Sequence, residues 1–200
     1  MDPQTLHTYH TNAERLCQQY RRTAPASLYQ LIQRFFQPGQ PTADIGCGSG
    51  RDVAWLVQQG YPTTGYDAVT AMLTQARHTY PHIIVQQAQL PYLSTIASQT
   101  YPNVLCNATL MHLPTQMLAP ALANLARILQ PGGRLIYSYR HSTAPTEREP
   151  DGRLFTHISS QQQHTLLAHA ALQLLTSEQQ TDNQRPHIHW HITVAQKNTT

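Results

Sequence analysis

Between Ala43 and Leu56 the chain reads ADIGCGSGRDVAWL. A short apolar piece ends at Asp44-Ile45, glycines occupy the alternate positions Gly46, Gly48 and Gly50, and an amphipathic run starts at Arg51. Strand, glycine turn and helix in that order bring bare backbone close to a nucleotide-like ligand. Glycine suits such a turn because a Cβ would hold the ligand off, and because tight turns often need a positive φ. The plainer alternative is a turn between a buried strand and a helix, with no ligand. Arg51 stands where the dinucleotide pattern G-x-G-x-x-G would place its third glycine, and no G-K-[ST] follows, so the spacing is neither that fingerprint nor a P-loop.

The chain beyond keeps alternating. A second strand over 63–66 ends at Asp67, which lies 17 residues after Gly50. A carboxylate at that tip is placed to accept the hydroxyl hydrogens of a ribose, or to cap the helix expected over 69–78. A third strand is expected over 83–87 and a fourth over 103–107. A helix over 115–129 follows, ended by Gly132-Gly133, then a fifth strand over 134–139. Strands separated by helices predict a doubly wound parallel sheet. The helix after the glycine turn, 52–59, has Val53, Leu56 and Val57 on its inner side and stops at Gly60. Its free N–H groups point toward the ligand side, and Asp52 suits the helix dipole.

Asp44 with the three alternate glycines and Asp67 resembles motif I of the class I S-adenosylmethionine (SAM)-dependent methyltransferases. The blocks VLCNATLMHLP and ILQPGGRLIYSYR extend the resemblance over residues 42 to 140. It implies a three-layer αβα sandwich around a seven-stranded, mostly parallel sheet with an antiparallel last strand, the Rossmann-like class I fold. It implies SAM as cofactor, held by Asp44, Gly46, Cys47, Gly48, Gly50, Asp67, Ala68, Gln89, Leu90 and Asn107. The reaction implied is methyl transfer to an O, N or S atom. The sequence departs from the family where an acid commonly follows the third strand: Gln87 and Gln89 stand there, and a glutamine carbonyl accepts with less charge assistance. The usual Asp early in the fourth strand is replaced by Pro102-Asn103. His112, just past that strand, is the first choice for a general base, with packing at a helix start as its other reading. His141, Glu147 and Glu149 are weaker choices.

The flanks complete a single expected domain over 1–200: an N-terminal helical cap (1–40), a SAM-binding core (41–140), a proline-bearing substrate lid (141–158) and a C-terminal helix with a β-hairpin (159–200). Tyr9 and Tyr20 in the cap either pack in the core or close over the cofactor. In the hairpin, Ile188, Trp190, Ile192 and Val194 alternate with His187, His189, His191 and Thr193. The histidine face is either a polar surface or a metal site; no metal is expected. Charge is sparse at 12% and the net +3 is scattered, which argues against nucleic acid. Three cysteines without metal or redox spacing suit a reducing, cytoplasmic setting. The polar N-terminus has no signal-peptide pattern, and no apolar run is long enough for a bilayer. Asn107-Ala108-Thr109-Leu110 is not the motif of DNA amino-methyltransferases, and no Pro-Cys pair provides a nucleophile there. The expected partner is therefore a small-molecule acceptor, with the protein a monomer or homodimer. The alternatives are an RNA or protein methyltransferase, a SAM-binding protein without transferase activity, and an NAD(P) reductase.

Overall fold

The computed structural model describes residues 1–142, 148–182 and 188–199. Three helices come first: α1 (Pro3–Thr11), α2 (Ala13–Arg21) and α3 (Ala26–Phe35). The core then alternates β1 (Thr42–Ile45), α4 (Arg51–Gln58), β2 (Thr63–Asp67), α5 (Thr70–Thr79), β3 (Ile84–Gln87) and β4 (Tyr101–Cys106). It closes with α6 (Leu118–Ile128), β5 (Leu129–Ser142), α7 (Ser160–His169), β6 (Leu172–Thr181) and β7 (Ile188–Lys197). The strand order is β3-β2-β1-β4-β5-β7-β6. β1 runs parallel to β2 and β4, and β7 antiparallel to both β5 and β6. This is the expected seven-stranded sheet with a reversed last strand.

The strands are apolar on both faces because helices cover both. Leu105, Ile136, Ile192 and Val194 meet Leu28, Ile32 and Leu56 of α3 and α4 on one side. The alternate residues Val104, Cys106, Leu135 and Tyr137 meet Leu122, Leu125 and Leu167 of α6 and α7 on the other. The period-2 alternation thus divides each strand between two cores. The chain winds outward from β1 to β3 and then returns to β4, so the order reverses beside β1. That reversal opens a crevice at the carboxyl ends of β1 and β4, where ligands bind in such sheets.

Val57, expected on the inner side of α4, is exposed, because only Val53 and Leu56 of its apolar residues are buried in the core; two further local outcomes differ from the sequence expectation. α6 stops at Ile128, and β5 already begins at Leu129, which pairs with Tyr101 before the pairing shifts to Asn103↔Arg134. Pro131 cannot supply the next helical N–H and disfavours helical backbone at Gln130. Gly132-Gly133 therefore form an irregularity inside the strand, and a Cβ on Gly133 would lie 2.9 Å from the Gln130 and Pro102 carbonyl oxygens. Asn103 is fully buried and clamps the end of the cap. Its Oδ1 accepts from Gln37 N at 2.9 Å and its Nδ2 donates to Gln37 O at 2.9 Å. The residue that departs from the family pattern thus serves the fold.

Candidate functional site

The glycine turn is built from its backbone outward. Gly46 N and Cys47 N both donate to the Tyr66 carbonyl at 2.7 and 2.9 Å, tying the turn to the end of β2. Gly46, Gly48 and Gly50 all have positive φ, at 77°, 50° and 75°. Packing, rather than ligand approach, demands glycine at two of them. A Cβ on Gly46 would collide with the Thr109 hydroxyl, and one on Gly50 would lie 2.7 Å from Ile83 Cδ1. Beside Gly48 the nearest atom is Met72 Cε at 3.5 Å, which leaves room.

Asp67 locks this turn to the tip of β2. Its Oδ2 accepts from Gly48 N and its Oδ1 from Val69 N, each at 2.9 Å. The residue at the start of α5 is Val69, so Asp67 serves the turn before that helix rather than capping it. Each carboxylate oxygen keeps a further lone pair. Burial raises its pKa, against the N–H groups of Val69, Gly48 and Ala68. Asp44 sits deeper, beneath the turn. Its Oδ2 is buried without a hydrogen-bond partner among the described residues. Burial, with the negative charges of Asp52 and Asp67, pushes its carboxyl well above the usual range despite Arg51.

Asp52 does more than complement a helix dipole. Its carboxylate accepts from Tyr29 Oη (2.8 Å), Arg51 Nε (2.8 Å), Arg51 Nη2 (2.9 Å) and Asn107 Nδ2 (2.9 Å). Asn107 Oδ1 in turn accepts from Ser138 Oγ at 2.5 Å, and Ser138 Oγ accepts from Ala108 N at 2.9 Å. Burial alone would raise the Asp52 pKa; the Arg51 charge and these bonds outweigh it and hold the carboxyl below its ordinary value. Arg51 Nη1 also donates to the Tyr20 and Thr23 carbonyls at 3.0 and 2.8 Å, so the network fastens the helical cap to the turn.

A cavity of 670 Å³ opens over this assembly, within the usual size of small-molecule sites. Gly46, Cys47, Gly48, Asp67, Ala68, Leu90 and Asn107 line it. Asp44, Gly50 and Gln89 do not line it; Gln89 is exposed, and Gln87 Nε2 donates to the Ala68 carbonyl at 3.2 Å. His112 also lines the cavity, together with Tyr9, Tyr20, Arg140, Arg153 and Phe155. Both cap tyrosines therefore reach the cavity. The described part of the expected lid, 148–158, closes one side of it. Arg148 reaches Asp2 at 3.0 Å, and Leu154 N donates to Thr5 Oγ1 at 2.9 Å. Glu149 pairs with Arg140 at 2.6 Å. His141 pairs along the backbone with His189, and Glu147 lies outside the described residues. In the terminal hairpin, His191 stacks on Tyr139 at 5.1 Å and His187 lies outside the described residues. No group of three His, Cys, Asp or Glu that could hold a metal occurs among the described residues.

His112 is 3% exposed. Its Nδ1 lies 2.6 Å from the Leu154 carbonyl and its Nε2 3.0 Å from Tyr9 Oη. Burial lowers its pKa to about 4; the Leu154 carbonyl and Asp151 oppose the shift, and the charges of Arg153 and Arg140 add to it. The unfolded chain takes up this proton near pH 6.5 and the folded protein only near 4, so acid favours unfolding across that window. His112 is expected to make the protein about 3 kcal/mol less stable at pH 4 than at pH 7. The raised carboxyls of Asp44 and Asp67 slope the other way, so the test compares urea denaturation of the wild type and His112→Gln at both pH values. Identical pH slopes would show that His112 titrates normally in the fold.

A glycine turn bonded to a strand-tip carboxylate, at the switch point of a 3-2-1-4-5-7-6 sheet, defines the Rossmann-like class I methyltransferase fold. Residues 43–137 match the family model described as "Methyltransferase domain". The chain is 33% identical over 103 residues to an uncharacterized methyltransferase, YodH, of Bacillus subtilis; the match covers 50% of this chain and 42% of that protein. It thus spans less than half the length of this curated relative. Among solved structures, a SAM-dependent methyltransferase of Methanosarcina mazei superposes with a TM-score of 0.73 at 17% identity, covering 86% of this chain and 99% of that one. The 1,6-didemethyltoxoflavin-N1-methyltransferase of Burkholderia thailandensis, solved with its substrate and S-adenosylhomocysteine, gives 0.71 at 21% identity, covering 87% and 77%. SAM is the cofactor the family implies, and the open space at Gly48, the lone pairs of Asp67 and the cavity volume fit it. Among the described residues, no helix is long and apolar enough to cross a membrane.

Sequence reasoning missed Arg51–Asp52, Ser138, Arg153 and Phe155. Arg51-Asp52 directly after the third glycine was the one local signal: two opposite charges at the start of an otherwise apolar helix.

Proposed function

We propose that the protein transfers a methyl group from SAM to an O, N or S atom of a small-molecule acceptor. One observation carries this reading: a single cavity is lined both by the Gly48–Asp67 turn and by the polar side chains of His112, Tyr9, Tyr20 and Arg153. Asp67 would hold the ribose hydroxyls, the backbone of Gly46–Gly48 the adjoining part, and Ala68 and Leu90 the flanks of the adenine. Bound there, SAM supplies an electrophilic methyl group on a sulfonium. The chain's part is to align the acceptor and exclude water; holding the reacting atoms near 3 Å in line supplies much of the rate in such transfers. The cap helices, fastened by Arg51 and by Arg153 on Tyr20, provide that exclusion. The cavity volume of 670 Å³ favours an acceptor small enough to be enclosed. The Burkholderia enzyme named above acts on such a molecule.

Asp67→Ala is expected to weaken SAM binding by roughly 1–3 kcal/mol, through lost charge-assisted hydrogen bonds and a loosened turn. Titration calorimetry with SAM and S-adenosylhomocysteine measures this, and unchanged affinity would remove Asp67 from the site. Labelled-methyl transfer into a metabolite extract tests the reaction itself. Tight SAM binding with no transfer into metabolites, RNA or protein would leave a binding protein in its place.

A further inference from the structure

The polar end of the cavity has a definite direction of hydrogen bonding. The Leu154 carbonyl only accepts, so His112 Nδ1 carries the proton and donates to it at 2.6 Å. The neutral ring then has a lone pair on Nε2, and Tyr9 Oη donates to it at 3.0 Å. Having spent its one proton, Tyr9 accepts from Tyr20 Oη at 3.2 Å. Tyr20 accepts from Arg153 Nη1 at 3.0 Å. The chain runs from Arg153 through Tyr20 and Tyr9 to His112, and all four side chains line the cavity. His112 Nε2 is therefore already occupied, and an acceptor meets it only through Tyr9.

We infer that Tyr9 is the catalytic group that takes the acceptor's proton, that His112 is the positioning residue that receives Tyr9's own, and that the acceptor atom is a hydroxyl oxygen. This rests on the methyl-transfer reading above. The hydroxyl oxygen bonds to the methyl carbon as the carbon–sulfur bond breaks, and that electron pair stays on sulfur. The hydroxyl proton passes to Tyr9 Oη while the Tyr9 proton passes to His112 Nε2. One positive charge leaves the sulfonium and one appears on the imidazole, so the site's net charge is constant.

The surroundings suit an aromatic hydroxyl. Arg140 and Arg153 bring two guanidiniums to this end, and Arg140 lies 3.6 Å over the Phe155 ring. Glu149 balances Arg140 and Asp151 balances Arg153, while the Arg153 donor, through Tyr20, stabilises negative charge developing on Tyr9. The groups facing His112 are Tyr9 from α1, Arg140 from β5, and Asp151, Arg153 and Phe155 from the following segment. Phe155 stands 4.8 Å from the imidazole, and with Tyr9 it gives the end aromatic walls suited to a phenol.

The test uses 4-nitrophenol with the full-length protein and SAM, and follows methylation of the phenol oxygen. Wild type is expected to methylate it, because the proton moves as the carbon–sulfur bond breaks. Tyr9→Phe and His112→Gln should each lose at least tenfold of that rate, once calorimetry shows that they still bind S-adenosylhomocysteine. No methylation by wild type, or an undiminished rate in Tyr9→Phe, overturns the inference. A second measurement needs no variant: nitrogen NMR of labelled histidine must show His112 neutral, protonated on Nδ1 and bare on Nε2. The opposite tautomer overturns the relay. If wild type fails to bind S-adenosylhomocysteine at all, the methyl-transfer reading falls; if it binds but leaves the phenol unmethylated, only the relay does.

Discussion

Asp52→Ala is expected to cost about 3–5 kcal/mol of stability, the usual result of removing one partner from a buried ion pair. The Arg51 side chain is 20% exposed and that of Asp52 9%, so water replaces little of what is lost. Two more donors, Tyr29 Oη and Asn107 Nδ2, would lose their acceptor at the same time. A buried donor left without a partner costs about 1–3 kcal/mol by itself. Urea denaturation would show the midpoint falling with little change in slope. A companion variant, Arg51→Met, should cost less alone, and the double variant less than the sum, because the pair shares one interaction. A loss below about 1 kcal/mol would mean that Arg51 behaves as a surface charge screened by water. The same substitution would free Asn107 and Ser138 and release the cap at Tyr20 and Thr23, so SAM affinity should fall with it.

Gly46→Ala is expected to destabilise by about 3 kcal/mol or more, from two additive causes. Left-handed backbone costs an L-residue about 1–2 kcal/mol, and Gly46 has φ of 77°. The new methyl would also press on Thr109, with Cγ2 only 2.6 Å away, and overpacking costs about 1–3 kcal/mol. Thr109 cannot simply turn aside, because its hydroxyl donates to Asn107 O at 3.0 Å. Gly48→Ala is the control: it shares the positive φ but meets only ordinary contacts, Met72 Cε at 3.5 Å and Gly46 O at 3.9 Å. Its stability loss should be about 1–2 kcal/mol, with the larger harm falling on SAM binding. Equal losses at the two positions in thermal unfolding would show that Thr109 yields.

The glycine turn, Asp67 and the alternation of strands and helices were legible because each is local. A positive φ, a strand tip or a covered strand leaves its mark within a few residues. The extra glycine restriction at Gly46 was not legible, since Thr109 arrives from the far side of β4. Asn103 was read only as a departure from a pattern. Its role depends on Gln37, 66 positions away. His112 was visible as a histidine near the expected cavity, yet nothing nearby indicated that Tyr9 already occupies its Nε2.

Read alone, the amino-acid order specifies a doubly wound sheet, the turn that faces its switch point and the carboxylate beside it, because short-range backbone preferences and hydrophobic period determine all three. The tertiary structure decided the rest. It joined Tyr9 to His112 across 103 positions and Arg153 to Tyr20 across 133. Such pairs have no sequence period: they meet only when the cap and the segment after β5 fold over the same end of the sheet. The direction of a proton path depends on which donor reaches which lone pair, and that is settled by packing.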